Sequence, residues 1–218
     1  MKLTPLVFLS TILFFLSGCL SNADGPKIYR DATGVVLTSG GDPVADADIH
    51  IRNHFNPGGF LPELIGDTVR VNFSAPTRTL YRASIYRHDA NSLLATFFED
   101  TLESGDQELI IPDSLLSNGI LGFQVSTSAR VLGGSLFVVN KPDSLLVGTL
   151  PFTETSAEGE FRLNSSYLAI GSSFNASSGS FKITDSLQIM VVQDSVITSK
   201  RAVKLKANEQ NFFEITVD

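Results

Sequence analysis

The sequence predicts an all-β fold of antiparallel β-sandwiches. After Thr33, apolar residues alternate with polar residues in short runs, the pattern of strands with one buried face and one wet face. Turn signals of Gly, Pro, Asn and Asp separate the runs, and no stretch there keeps helical periodicity for three turns. This length of chain suits one large sandwich or two small ones.

The composition excludes some classes of protein and argues against one class of partner. The chain has 218 residues, 43% of them hydrophobic and 18% charged, which excludes a generally disordered chain. Its formal net charge of -7 argues against nucleic acid as a partner, because phosphate binding requires clustered Lys and Arg. The single cysteine excludes an intrachain disulfide.

The N-terminus predicts a signal peptide at residues 1–18. Lys2 precedes an apolar run, Leu6–Leu16, which is shorter than the roughly 20 residues that span a bilayer. The run ends in Leu16-Ser17-Gly18-Cys19, which resembles the lipobox of bacterial lipoproteins. That resemblance implies cleavage between Gly18 and Cys19 and a lipid on the Cys19 thiol, which makes the membrane a partner.

Residues 19–27 are small and polar and predict a lipidated, flexible tether. No Asp follows Cys19 directly, which by resemblance to the enterobacterial sorting rule implies the outer membrane. The periplasmic and the surface-facing side of that membrane both stay open.

The alternating runs predict strands, with one short helical turn among them. The turn is expected at Pro112–Leu116, where Pro stands early and Gly119 lies just beyond. The predicted strands include residues 69–73, 81–85, 121–125, 161–163, 203–205 and 213–217.

Two separated segments share one family pattern. Gly34–Leu37 and Gly41–Ile51 read G-x-V-x and G-x-P-V-x-x-A-x-I-x-I, and Thr155–Leu163 reads T-x-x-x-G-x-F-x-L. This pattern resembles that of carboxypeptidase regulatory-like domains, which implies a transthyretin-like sandwich. Because a connecting loop needs far fewer residues than the gap between the segments, we expect Ile51 and Thr155 on neighbouring strands of one sandwich.

The gap has a pattern of its own. Val69–Pro76, Tyr81–Arg87 and Leu116–Phe123, with a Gly turn at Gly105, resemble the Ig-like module of flagellar hook-capping proteins and the related C-terminal sorting domains. The sequence departs from that pattern at His88–Asn91, which replaces D-x-x-G, and it lacks the Trp after the Gly turn.

Together the resemblances predict two nested sandwiches. The Ig-like sandwich is expected at residues 61–128, inside a transthyretin-like sandwich of residues 28–60 and 129–218. Two consecutive domains with a boundary near Ser128 are the alternative. Neither fold fixes a function.

Three histidines and one aspartate are candidate metal ligands. His50 and His54 would share a strand face about 13 Å apart, too far for one metal unless the chain folds back at Asn53. His88 and Asp89 belong to another predicted turn. We expect three surface or rim histidines, and neither a metal nor another cofactor.

Three further acids form a group around a turn. Asp42, Asp46 and Asp48 have a spacing that calcium loops use, but they lack the Gly and the distal Glu of such loops. We therefore expect a solvated turn.

The sequence predicts a non-enzymatic protein. G-x-S-x-G and glycine-rich phosphate loops are missing, and lipid would consume Cys19. Carboxylate pairs for glycoside hydrolysis stay open, because they meet only in space. The expected role is adhesive, carbohydrate-binding or scaffolding, with a protein or glycan partner; the alternative is a periplasmic accessory subunit of a transport or secretion machine.

Two aromatic pairs, Phe97-Phe98 and Phe212-Phe213, are expected to place one ring on each face of a strand. The outer rings would be buried between the two sandwiches, or would be exposed and mark an interface.

Overall fold

The computed structural model describes residues 26–56, 68–87, 92–176 and 179–218, and of their side chains all but those of 54–56, 68, 174–176 and 179–181. Strands make up most of the described chain and helical turns very little of it, which confirms the predicted all-β fold. The strands are β1 Ala32–Thr38, β2 Asp48–Asn56, β3 Thr68–Ala75, β4 Thr79–Arg87, β5 Leu93–Leu102, β6 Gly105–Pro112, β7 Gly119–Ser126, β8 Val131–Val139, β9 Thr153–Glu154, β10 Glu160–Leu163, β11 Ser173–Ala176, β12 Gly179–Gln193, β13 Val196–Lys204 and β14 Asn211–Val217.

Within the described residues, short helical turns occur at three places. The turn expected at Pro112–Leu116 is a 3-10 helix at Asp113–Leu115, and a second 3-10 helix lies at Asp143–Leu145. One turn of α-helix, α1, spans Ser165–Leu168 and begins at Asn164, whose side chain accepts a hydrogen bond from the Ser166 N–H.

The first and last parts of the chain form two sheets around one core, here called the terminal sandwich. One sheet has the order β10-β1-β14, and the other has the order β11-β12-β2-β9 with β13 also paired to β12. The pair β1–β14 is parallel, whereas the other pairs are antiparallel as predicted. Both sheets contribute alternate apolar residues to the core, among them Val36, Ile49, Ile51, Phe161, Leu163, Leu187, Ile189, Val191 and Ile215.

The two segments of the split pattern lie side by side in this sandwich. β2 pairs with β9, and Ile49 stands opposite Thr153. The Ala47 N–H donates to Thr155 Oγ1 at 2.8 Å, and the same hydroxyl donates to a carbonyl of the first segment. A Cβ on Gly34 would lie only 2.3 Å from the Phe161 ring, so only glycine fits beneath that ring.

The intervening strands form a second pair of sheets, here called the central sandwich. Its sheets have the orders β3-β6 and β5-β4-β7-β8. Alternation along these strands follows the predicted runs, and the core includes Val71, Tyr81, Ala83, Ile85, Leu109, Ile111, Leu121 and Val125. Tyr81 is fully buried, and its hydroxyl donates to the Thr77 carbonyl at 2.6 Å.

β8 belongs to the central sandwich. It pairs with β7 from Gly119↔Val139 to Ser126↔Val131, and Val139 lies in the central core. The predicted end of the insertion at Ser128 therefore falls in the turn between two paired strands. Residues 140–152, here called the return segment, follow β8 and lead back to β9.

The aromatic pairs differ from each other. A β-bulge in the pairing of β4 with β5 lies at Phe97-Phe98, and both rings pack partly against the central core, so the expected one-in, one-out arrangement is wrong there. In β14 that arrangement is confirmed, because Phe213 packs on the terminal core while Phe212 is 61% exposed.

Candidate functional site: the junction between the sandwiches

The predicted lipidation site, Cys19, and the predicted cleavage site at Gly18 lie outside the described residues. The described chain begins at Pro26 and joins the terminal sandwich at once. The Ile28 N–H donates to Asn208 Oδ1 at 3.1 Å, and the Asn208 N–H donates to the Ile28 carbonyl at 2.7 Å. Ile28 is thus held by two hydrogen bonds to the turn between β13 and β14.

One buried cationic contact at the junction is made by Arg87, the last residue of β4. Its side chain continues the inward-facing series of that strand and is 8% exposed. Nη2 donates to the carbonyl oxygens of Pro151 and Phe152 at 2.9 and 2.8 Å. The guanidinium carbon also lies 4.6 Å from the ring centroid of Phe152 and 5.6 Å from that of Tyr167.

Burial determines the electrostatics of this contact. Removal from water lowers the pKa of Arg87 to about 10, because desolvation disfavours the charged form. At neutral pH the side chain stays protonated. Among the described residues, carbonyl dipoles and aromatic ring faces, rather than a carboxylate, stabilise its charge. A side chain of the central sandwich thereby holds the end of the return segment and α1 of the terminal sandwich.

The return segment begins with a second buried cation. Lys141 is 1% exposed, and its Nζ donates to Asp113 Oδ1 at 2.6 Å and to the Asp113 carbonyl at 3.0 Å. Its backbone N–H donates to Asn118 Oδ1 at 2.6 Å, and the Asn118 amide donates back to the Lys141 carbonyl. These bonds fix the start of the return segment to the turn between β6 and β7.

The same segment is also bonded to the terminal sandwich. Arg52 of β2 donates to the Lys141 carbonyl at 2.7 Å and to Asp143 Oδ1 at 2.8 Å. Lys200 of β13 donates to the other carboxylate oxygen of Asp143. The Lys200 and Arg52 hydrogen bonds hold the pKa of Asp143 below its usual range. Around this contact lies an open groove of about 460 Å³.

An apolar contact completes the junction. Ile120 of β7 packs with Ala169 and Ile183 of the terminal sandwich, and Val138 of β8 packs against them. The junction thus combines a small apolar cluster with buried charges whose partners come from both sandwiches and from the return segment. Because its charged groups already have partners, the junction holds the two sandwiches in a fixed arrangement.

His50 is the exception among the buried polar groups. It lies on β2 opposite Met190 and is 1% exposed, and neither ring nitrogen has a hydrogen-bond partner in the part of the chain that the structure describes. Burial lowers its pKa to about 4, so the imidazole is neutral at neutral pH. The expectation that it is a surface or rim histidine is wrong, because this face of β2 is covered. The side chain of His54, and His88 with Asp89, lie outside the described residues.

The predicted solvated turn at the N-terminal acids agrees with the structure. Asp42 and Asp46 are exposed and Asp48 is half-buried, and burial raises the pKa of Asp48. Within the described ranges, no three His, Cys, Asp or Glu side chains are close enough together to hold a metal ion. Of the helices in that part of the chain, none is long and apolar enough to cross a membrane.

Neither Arg87 nor Lys141 was recognised as a site residue from the sequence. The alternation of β4 contained a signal for Arg87. Its side chain lies on the same face of the strand as those of Tyr81, Ala83 and Ile85, which point inward. Lys141 gave no such signal, since it lies in a Pro-containing segment without periodicity.

No family model matches the chain, and no match was found among curated proteins or solved structures. The resemblances to the lipobox, to regulatory-like domains and to the hook-capping module therefore stay predictions.

Proposed function

We propose that this chain is a lipid-anchored, non-enzymatic scaffolding protein of the bacterial envelope, which holds its central sandwich in a fixed orientation for a protein or glycan partner. The observation that carries the scaffolding role is the Arg87 contact, which connects the central sandwich to the return segment and to α1. A scaffold requires such fixed geometry. A flexible pair of binding modules would not need a desolvated arginine at the joint.

The lipid anchor rests on the sequence. The apolar run Leu6–Leu16 ends directly in Leu16-Ser17-Gly18-Cys19, and the chain has no other cysteine. Two or more acyl chains give stable anchoring, whereas one chain alone binds a membrane only marginally. The hydrogen bonds of Ile28 with Asn208 support the anchor, because they would attach a tether ending at Cys19 to a fixed point of the terminal sandwich.

Metabolic labelling tests the anchor. In a bacterial host, the parent chain should incorporate radiolabelled palmitate and Cys19→Ala should not. Ser21→Ala is the matched control, because it alters the tether and leaves the four-residue pattern intact. Label retained by the Cys19→Ala variant would rule out lipidation at this site.

Protease treatment of intact cells tests the side of the membrane. Rapid loss of the protein would support a surface-exposed scaffold with an adhesive or carbohydrate-binding role. Full protection would favour the periplasmic side and, with it, an accessory subunit of a transport or secretion machine.

Distance measurements test the fixed orientation. Spin labels at Ser128→Cys and Ser195→Cys, on exposed turns of the central and terminal sandwiches, should give one narrow distance distribution in the lipidated chain. Adding Arg87→Ala should broaden it, and adding Arg82→Ala, which removes an exposed pair with Glu99, should not. A broad distribution without the Arg87 change would contradict the scaffolding role.

A further inference from the structure

A group of lysines lies where the described chain enters the terminal sandwich, and it is here called the lysine patch: Lys27, Lys182, Lys204 and Lys206. All four are exposed. They come from three places in the sequence, since Lys27 precedes β1, Lys182 lies in β12, and the other two lie at the end of β13 and in the turn after it. The fold therefore brings together cations that the sequence separates.

One groove and one carboxylate join the members of the patch. Lys27, Lys182 and Asp185 line the same groove, whose volume is about 460 Å³. The Asp185 carboxylate also lies 3.8 Å from Lys204 Nζ. The turn that contains Lys206 is also the one that binds the start of the described chain. The four ammonium groups therefore belong to one continuous surface.

This surface has an excess of positive charge in a chain whose formal net charge is -7. Two of its lysines have exposed carboxylate partners at long range, because Lys204 lies 3.8 Å from Asp185 and Lys206 lies 3.5 Å from Glu209. Such pairs leave the cations free to bind another anion. The other two lysines have no ion pair among the described residues.

An apolar side chain stands at the border of the patch. Ile28 follows Lys27 directly and is 58% exposed, although its backbone is hydrogen-bonded to Asn208. Surfaces that bind bilayers combine these two features. Apolar side chains enter the boundary between headgroups and acyl chains, while lysines bind anionic headgroups. Ile28 and the lysines are therefore placed as a membrane-binding surface requires.

The chain between Cys19 and Pro26 limits how far the patch can move from a lipid on Cys19. These residues are seven positions apart, so even a fully extended chain spans only about 25 Å between them. Lys27 is the next residue. Attraction between exposed charges is screened beyond about 8 Å at physiological ionic strength, but the anchor returns the patch to that range repeatedly.

We propose that the lysine patch, together with Ile28, docks onto a bilayer that contains anionic phospholipids, and that this contact orients the anchored protein. The inference rests on the proposed lipid anchor. An anchor on Cys19 keeps the bilayer within reach of the patch at all times, which commits the patch to this occupant. Ser195, in the turn at the other end of β13, then lies roughly 25 Å further along the strand from the bilayer.

Energy transfer to lipid tests the docking. The full lipidated chain carries a donor dye at Ala207→Cys, beside the patch, or at Ser195→Cys, and enters the outer leaflet of phosphatidylcholine vesicles that contain a headgroup-labelled acceptor. Replacing roughly a third of the lipid by phosphatidylglycerol should raise transfer from Ala207→Cys about twofold and change transfer from Ser195→Cys little. Salt at about 1 M should remove the gain, because it shortens the screening length to about 3 Å. Equal transfer from Ala207→Cys in neutral and anionic vesicles would overturn the proposal.

Removal of the charges tests the patch itself. In the Ala207→Cys chain, Lys182→Gln combined with Lys204→Gln and Lys206→Gln should return the transfer in anionic vesicles to its value in neutral ones. The physical reason is that each lysine near an anionic surface changes the ratio of docked to undocked protein by about fivefold.

A matched triple variant separates the patch from net charge. Arg70→Gln combined with Arg78→Gln and Arg130→Gln removes the same number of exposed positive charges from the central sandwich and should leave the transfer unchanged. Equal losses in the two triple variants would show that net charge alone governs the approach to the bilayer, which overturns the proposal.

Palmitate labelling of the same samples separates this inference from the anchor on which it rests. A parent chain without label would contradict the anchor and the docking together. A labelled parent whose Ala207→Cys transfer does not respond to anionic lipid would contradict the docking alone. Each triple variant is compared only if its urea unfolding midpoint matches that of the parent, and the salt dependence of the unaltered patch tests the docking without any charge variant.

Discussion

Arg87 and His50 are both basic side chains removed from water, and burial lowers the pKa of each. At neutral pH, however, Arg87 is charged and His50 is neutral. Arg87, with a pKa of about 10, stays protonated at neutral pH, because the ordinary pKa of an arginine lies so far above 7 that burial leaves the group charged. His50, with a pKa of about 4, is neutral, because the ordinary pKa of a histidine is already close to 7, and it has no hydrogen-bond partner among the described residues. The comparison shows that a similar fall in pKa leaves one base charged and the other neutral, and that the fold places two carbonyl oxygens and two aromatic rings around the base that stays charged.

The largest expected effect comes from removing the partnered base. Arg87→Ala should lower the free energy of unfolding by about 4 kcal/mol, because two buried carbonyls lose their donor and the cation–π contacts disappear. Urea unfolding of the purified protein measures this. Arg82→Ala, on the same strand but in an exposed pair with Glu99, should leave the unfolding midpoint almost unchanged. Equal losses in the two variants would mean that the Arg87 contact contributes nothing specific.

The unpartnered base should appear in the pH dependence of stability. Between about pH 6.5 and pH 4 the unfolded chain protonates His50 and the folded chain does not, so stability falls as the pH is lowered through this window. We expect a loss of about 2 kcal/mol, measured by urea unfolding at several pH values.

His50→Leu should remove most of that slope. The pKa values of Asp31 and Asp143 are lowered in the folded protein, so these two groups reduce stability only when the pH falls below the usual carboxyl range. Asp48 has the opposite effect on stability, because its raised pKa means that the folded protein gains this proton more easily than the unfolded chain. A slope that persists in His50→Leu would show that another group is responsible.

Lys141 offers the intermediate case of a buried base with a carboxylate. Asp113→Asn should cost about 2 kcal/mol, because it leaves the ammonium buried with weaker acceptors, while the partly exposed Asp113 moderates the effect. Combining it with Lys141→Met should recover much of the loss, which thermal or urea unfolding can check. A double variant as unstable as the single one would argue against an electrostatic origin.

The smallest expected effect has the opposite sign. Ser117 is 1% exposed and its hydroxyl has no hydrogen-bond partner within the described ranges, so Ser117→Ala should stabilise the protein by about 0.5 kcal/mol. Ser84→Ala is the matched change, because that equally buried hydroxyl lies 3.0 Å from Thr96 Oγ1. The second variant should lose about 1 kcal/mol in the same unfolding experiment. Destabilisation by both would indicate that Ser117 contributes through packing.

Most strands could be predicted because their apolar core residues occur at every second position. Tyr81, Ala83 and Ile85 show this in β4, as do Phe161 and Leu163 in β10. β8 was not among the predicted strands, because Gly133-Gly134 interrupts its alternation and a bulge in its pairing with β7 shifts its register. Local pattern predicts that a strand exists; the pairing partner depends on distant residues.

The candidate site was less predictable for a related reason. The side chain of His50 lies on the same face of β2 as those of Asp48 and Arg52, because alternate residues of a strand share a face. Two charged residues indicate that this face is in water, and no feature of the neighbouring sequence shows that it is covered. Arg52 takes its partners from the return segment, nearly ninety residues away in sequence. Buried polar contacts between distant segments leave little trace in the periodicity of either one.

The parallel pairing of β1 with β14 has a consequence for the order in which the protein can form. As a growing chain emerges N-terminus first, all strands of the central sandwich become available while β14 is still missing. The first strand of the terminal sandwich must wait for the last, since Ala32–Thr38 has β10 and Asn211–Val217 as its neighbours. The central sandwich can therefore form early, whereas closing the terminal one depends on contacts across almost the whole sequence, which are slow to make.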